Sequence, residues 1–200
     1  PLLPSVPAVT LSAADGPVLS ILTVSGVAFV VSPASFVHEP LKTAPAVSVV
    51  CDWSAVQATG LLINAGSSLP ALHNAGTLGA EQNGGLHDAR AVVDLSGTLT
   101  YLQNSGTIKA TVNTPTGVTQ TGHAVAIDLS ANTSGATVRQ QKVAGSETPS
   151  IGGEVRFGSG DDHFELLTGS YVGAVSFGAG ADSLVLDGGA TATTTISDAD

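Results

Sequence analysis

Two near-copies of one phrase, 20 residues apart, set the narrowest limits on what this chain can fold into. Val155-Arg156-Phe157-Gly158-Ser159-Gly160-Asp161-Asp162-His163-Phe164-Glu165-Leu166 returns as Val175-Ser176-Phe177-Gly178-Ala179-Gly180-Ala181-Asp182-Ser183-Leu184-Val185-Leu186. Gly169 and Gly189 extend the match. A short repeat at fixed period marks a stacked, quasi-one-dimensional architecture, because each unit has an apolar face that only its neighbours can cover. The unit itself is β. Val155 alternates with Phe157, and Phe164 with Leu166, which puts each pair on one face of a strand. Between them, Gly158-x-Gly160-x-Asp162 and Gly178-x-Gly180-x-Asp182 supply residues that accept positive φ and bond locally to the backbone, as a tight corner needs.

A second repeat lies upstream. Leu62-Ile63-Asn64-Ala65-Gly66, Leu72-His73-Asn74-Ala75-Gly76 and Leu102-Gln103-Asn104-Ser105-Gly106 share the form apolar-x-Asn-x-Gly, followed by an apolar residue in the last two. Asn64, Asn74 and Asn104 therefore read as corners, and stacked Asn side chains can bond to one another as an internal ladder. Val93-Asp94-Leu95-Ser96 recurs as Ile127-Asp128-Leu129-Ser130 at a spacing of 34, read as one coil plus an insertion. The polar, Gly-rich or Pro-broken stretches Gly79 to Asp88 and Thr114 to Gly122 are the expected insertions.

These features predict an all-β chain: a right-handed, single-stranded parallel β-helix of ~20-residue coils, its hand following from the architecture rather than from any residue. Residues 1–50 read as irregular Pro- and Val-rich early coils or a cap. Val18 to Ile21, Val27 to Val31 and Val47 to Val50 would be strands, Pro33, Pro40 and Pro45 corners, and Ala34 to Ala46 a loop. Residues 51–150 form the region with Asn-x-Gly corners and loop insertions, and residues 151–200 the region of 20-residue repeats. The start on Pro1 and the stop just after a strand-like run suggest a segment cut from something longer.

Composition supports this and excludes several functions. Charged residues make up 11%, aromatics 4%, and there are 24 glycines and no Met. No apolar run approaches the roughly 18 residues of a spanning helix, so this segment is not expected to cross a membrane as one. The net charge of −10 leaves no basic patch for nucleic acid. Cys51 is the single cysteine, so no intrachain disulfide can form, and it reads as a small apolar side chain rather than a nucleophile. Trp53 reads as a packing residue.

Val93-Asp94-Leu95-Ser96-Gly97-Thr98-Leu99, Leu102-Gln103-Asn104-Ser105-Gly106-Thr107-Ile108 and the two Phe-Gly-x-Gly-x-Asp units carry a resemblance. From about residue 60 to 200 the chain resembles the passenger region of a bacterial autotransporter, a surface protein with a β-helical stalk. The resemblance implies export, a bacterial cell-surface or extracellular location, and a structural or adhesive role. Expected partners are a surface polysaccharide, a host surface or neighbouring copies in a homo-oligomer.

The Gly-x-Gly-x-Asp units also resemble, more weakly, the calcium-binding nonapeptide of RTX proteins. That resemblance implies Asp162 and Asp182 as stacked ligands for Ca2+, with Asp161 nearby. Phe157 and Phe177 stand where the nonapeptide has its leading glycine, and the alternative is a corner in which each Asp bonds backbone. No other cofactor is expected. His38, His73, His87, His123 and His163 show no metal-ligand spacing. No Gly-x-Ser-x-Gly elbow is present, and Arg90, Arg139 and Arg156 show no pattern of partners, so an enzyme is not expected. A carbohydrate-active β-helix enzyme stays as a further alternative, which would need carboxylates such as Asp94 and Asp128 assembled by stacking.

Overall fold

The computed structural model describes residues 57–199 throughout and, before them, the backbone of four strands: β1 (Val18–Leu19), β2 (Phe29–Val31), β3 (Leu41–Thr43) and β4 (Ala46–Cys51). The continuous part opens with β5 (Ala58–Ile63), β6 (Ala71–Asn74) and β7 (Thr77–Asn83). A second round supplies β8 (Ala89–Asp94), β9 (Tyr101–Asn104) and β10 (Thr107–Asn113). A third supplies β11 (Ala124–Asp128), β12 (Thr137–Gln140) and β13 (Ser150–Gly152). Finally come β14 (Glu154–Arg156) and two long strands, β15 (His163–Ser176) and β16 (Ser183–Ser197).

Every pairing is parallel, and the pairings form three ladders. One runs β2-β5-β8-β11-β14, a second β1-β3-β6-β9-β12, and a third β4-β7-β10-β13. β15 joins all three: Phe164 meets Val138 of β12, Tyr171 meets Ile151 of β13, and Val175 meets Val155 of β14. One strand touching all three ladders in turn means that the chain winds around a common core. The molecule is a parallel, solenoid-like all-β structure, with no helix among the described residues.

The core is like-on-like. Leu72, Leu102, Val138 and Phe164 stand in successive layers of one ladder, and Leu78, Ile108, Ile151 and Tyr171 in those of another. All eight are at most 1% exposed. Each such side chain contributes about 1.5–3 kcal/mol of transfer free energy, and layers ~4.8 Å apart leave no gap for water between them.

The period is where sequence and structure part. Val155 opposes Val175 at 20 residues, but Ala58 opposes Ala89 at 31 and Ala89 opposes Ala124 at 35. A uniform ~20-residue coil therefore describes only the last layers. The extra residues leave the ladders as loops, one of them the expected insertion at Thr114 to Gly122. A second loop, residues 141–149, was not expected. The other expected insertion, Gly79 to Asp88, is half strand: Gly79 to Asn83 belong to β7, with Gly79 to Gln82 paired on both sides. Alternation was hidden there because Gln82, fully buried, holds an inward position and receives the Gly85 amide at 3.0 Å.

Two matches also slip by one. Asp128 lies against Val93 rather than Asp94, so the 34-residue echo repeats a local turn, not the ladder register. Leu166 meets Leu186, but Gly169 meets Ala190 instead of Gly189, because one extra residue enters β16 after Leu186. In the early region, β1, β2 and β4 fall on the expected strands. Leu41 to Thr43 pair with β6 rather than forming part of a loop. The prolines named as corners, His38, Trp53 and the Cys51 side chain lie outside the described residues.

Candidate functional site: the carboxylate corner

The corners entering β15 and β16 are built by close approach. A Cβ on Gly158 would fall 1.8 Å from the Asn132 carbonyl oxygen, and one on Gly178 would fall 1.4 Å from that of Gly158. Gly160 and Gly180 adopt φ of 115° and 149°, a region L side chains rarely enter. All four glycines thus allow one layer to sit directly on the next. The Asp that follows is delivered against the layer below.

Asp162 is 1% exposed, and its Oδ1 accepts the Ala136 amide at 2.6 Å. Its own amide donates to Asp182 Oδ1 at 2.7 Å. Each carboxylate therefore ties its layer to the previous one. The second oxygens differ. Oδ2 of Asp162 and Oδ2 of Asp182 are both buried and have no hydrogen-bond partner. Burial of Asp162 pushes its pKa above the ordinary value of 3.8; the Ala136 amide opposes this, and the Asp182 charge adds to it. Asp161 turns outward, exposed, and accepts the Ala181 amide at 2.9 Å.

This donor set meets a hard cation in part. Two orphaned oxygens one layer apart are what a cation would satisfy, yet Ca2+ takes six to eight oxygens. Asp161 is not brought to the pair, and no group of three or more His, Cys, Asp or Glu gathers for a metal among the described residues. Backbone carbonyls or water would have to supply the remainder.

The Asn corners divide. Asn74 and Asn104, both buried, lie in one column, with Asn74 Nδ2 donating to Asn104 Oδ1 at 2.8 Å. Asn104 Nδ2 donates onward to Gln140 Oε1 at 3.2 Å. Gln140 Nε2 closes the column on the Thr168 carbonyl at 3.0 Å. Gln140 was missed, although Val138-x-Gln140 echoes Leu102-x-Asn104 once any amide is admitted at the third position. Asn64 is not in this column. It follows β5, on another ladder, where its carbonyl receives the Ser67 amide at 3.0 Å.

Asp94 and Asp128 serve their own turns. Asp94 Oδ1 accepts the Ser96 amide at 2.8 Å and Asp128 Oδ1 accepts the Ser130 hydroxyl at 2.6 Å. The arginines do have partners. Arg90 pairs with Asp88 at 2.8 Å, Arg139 with Glu165 at 3.5 Å, and Arg156 donates from Nε to Glu154 at 2.9 Å. Asp88-x-Arg90 and Glu154-x-Arg156 carried the signal, since residues two apart share a strand face. Of the histidines, His73 meets Tyr101 edge-on at 5.9 Å, His123 Nδ1 lies 2.8 Å from Glu154, and His163 Nδ1 lies 2.6 Å from the Ser183 hydroxyl. No protein-family model, curated protein or solved structure matches this chain.

Proposed function

We propose that this chain is a stalk segment of a secreted or cell-surface bacterial protein, non-catalytic, whose loops attach to a surface polysaccharide, a host surface or neighbouring copies. Its architecture in this reading is a right-handed, single-stranded parallel β-helix. One observation carries the proposal: three parallel ladders share one unbroken apolar core, while residues 114–123 and 141–149 leave it as loops. Such a core resists local opening because each layer is held on two sides, and loops beside it can vary without disturbing it. The passenger-like repeats of the sequence favour the same reading. No helix among the described residues is long and apolar enough to cross a membrane.

Limited proteolysis combined with adhesion of the purified chain to polysaccharide-coated and cell-coated surfaces tests the proposal. Cuts confined to residues 114–123 and 141–149, with retention on at least one surface, are expected. Rapid digestion within the ladders, or no retention on any surface, overturns it.

The orphaned Asp162 and Asp182 oxygens favour a second reading, a calcium-stabilised repeat module. In that case excess Ca2+ raises the thermal midpoint and chelation lowers it, and Asp162→Asn with Asp182→Asn abolishes the difference. An unchanged midpoint removes this reading.

A further inference from the structure

The richest network of charged side chains among the described residues lies away from the carboxylate corner. It borders a trough of about 430 Å³ on the side of the solenoid where the 114–123 loop returns to the sheet. The wall is mixed. Gln120, Thr121, His123 and Glu154 line the space beside Ala124, carbon atoms make up somewhat more than half of the exposed lining, and no large apolar side chain takes part. The floor is bare backbone at Gly153 and Gly173. A Cβ on Gly173 would fall 2.0 Å from the Gly153 carbonyl oxygen, so the layer contact that demands glycine also keeps the floor free of side chains.

The wall groups are held before any ligand arrives. Amides of Thr121 and Gly122 donate to the Gly85 carbonyl at 2.9 and 3.0 Å, and the Thr121 hydroxyl donates to the Leu86 carbonyl at 3.1 Å. Gln120 receives the Thr114 hydroxyl at 3.0 Å and donates to the Gly122 carbonyl at 3.0 Å. The His123 amide donates to Asp88 Oδ1 at 2.8 Å, and its ring nitrogen Nδ1 meets Glu154 Oε1 at 2.8 Å. Arg156 takes the other Glu154 oxygen. Burial raises the Glu154 pKa, but His123 and Arg156 outweigh it and hold the carboxyl below its ordinary 4.5, so it is ionised at neutral pH. The His123 ring keeps Nε2 for a further partner, with its side chain 58% exposed.

We propose that this trough binds a neutral sugar unit of a surface polysaccharide, which deepens the adhesive reading above and rests on it. The chemistry selects the ligand by exclusion and by fit. A lining that mixes carbon with fixed polar groups suits a molecule with both C–H faces and polar edges, and although Arg156 offsets the Glu154 charge locally, the chain's net charge of −10 disfavours a polyanion. A carboxylate, an amide, a hydroxyl and an imidazole fixed along one wall suit a ring whose neighbouring hydroxyls both donate and accept. Fixed groups lose little freedom on binding, so an open trough can still select its ligand.

The test titrates the isotope-labelled chain with neutral tetrasaccharides of glucose, mannose and N-acetylglucosamine, and with a galacturonic acid tetramer as the anionic control, reading amide and imidazole shifts. The expected result is a saturable shift of residues 120–124, 153–154 and 173 with a neutral sugar and none with the acid. Glu154→Gln and His123→Ala should each weaken binding about tenfold, with the remaining amide spectrum unchanged. If either variant alters the spectrum broadly, Gln120→Ala, confined to the loop, takes its place with the same expected loss. Lys142→Ala, on the other loop, should bind as the native chain does. No shift with any neutral tetrasaccharide at millimolar concentration overturns the proposal, as does binding that maps to residues 141–149 or survives these substitutions. Retention on polysaccharide-coated surfaces without a trough shift would sink the trough and leave the adhesive reading standing; loss of both would sink the two together.

Discussion

The layers before residue 150 and those after it solve one packing problem with different residues. In the earlier layers, aliphatic side chains fill the core and an amide column, Asn74-Asn104-Gln140, runs through one corner with its groups paired to each other and to backbone. In the later layers, aromatic rings take over. Phe157 and Phe177 stack at 5.1 Å and 9°, and Phe164 meets Tyr171 edge-on at 5.1 Å. The corner column there is carboxylate, with two oxygens left unsatisfied. Amides stack well because each carries both a donor and an acceptor, so a column closes on itself. Ionised carboxylates only accept, and stacking them leaves a charge that needs a proton, a cation or water. The earlier region is thus internally complete, whereas the later one is open to solution conditions.

The sharpest way to break this contrast is to remove an aromatic. Phe164→Ala should cost about 3–5 kcal/mol by urea denaturation, with hydrogen exchange rising first in β15 and β16. A loss below about 1 kcal/mol would mean that the rings are not what fills the later core.

Next is the amide column. Asn104→Ala should destabilise by about 1–3 kcal/mol, because Gln140 Oε1 loses its donor in a buried site. Asn64→Ala, off the column, should stay within about 0.5 kcal/mol. Equal effects at the two positions would show that the column contributes nothing beyond its corners.

Acid titration separates the two corners. The folded pKa of Asp162 is raised, so its contribution to stability grows as pH falls through that value and levels off below 3.8. Asp88 and Glu154 have lowered values; their contributions are present above 3.8 and 4.5 and vanish as pH falls through the folded values. Asp162→Asn keeps the Oδ1 acceptor and removes the charge. The variant should be more stable than the native chain at neutral pH and should lose stability more steeply on acidification. Parallel pH profiles would contradict a buried, unsatisfied charge.

The smallest effect belongs to the loops. Excising residues 143–147 and closing the gap with glycine should change stability by less than about 1 kcal/mol, since closure entropy varies only logarithmically with length. A larger loss would make that loop part of the core.

Much of this was legible from local pattern. The all-β class, the parallel stacking and the corner glycines followed from alternation and a 20-residue echo, because in the last layers the sequence period and the layer period coincide. Asn74 and Asn104 were found as stacked corners because the phrase around each repeats intact, although 30 residues separate them. Gln140 was not, since the 36 residues from Asn104 to Gln140 contain a loop, and Gln does at that corner what Asn does elsewhere. Strand Gly79 to Asn83 was hidden by its own buried glutamine. The charged trough was half legible: each acid-x-Arg pair could be read from strand alternation, but nothing in the chain says that His123 lies beside Glu154, 31 residues away.

Sequence alone determined the strand alternation, the residues able to turn the corners, and the identity of the repeating layer after residue 150. All of these depend on neighbours a few positions apart, where backbone geometry fixes the relation. Tertiary structure decided the layer spacing of 31 and 35 residues upstream, the placing of Asn64 outside the amide column, and the burial of Asp162 Oδ2. Those depend on how many residues leave the ladder between layers, and a loop's length fixes neither which strand it returns to nor in which register, because that choice is made by the core it must cover.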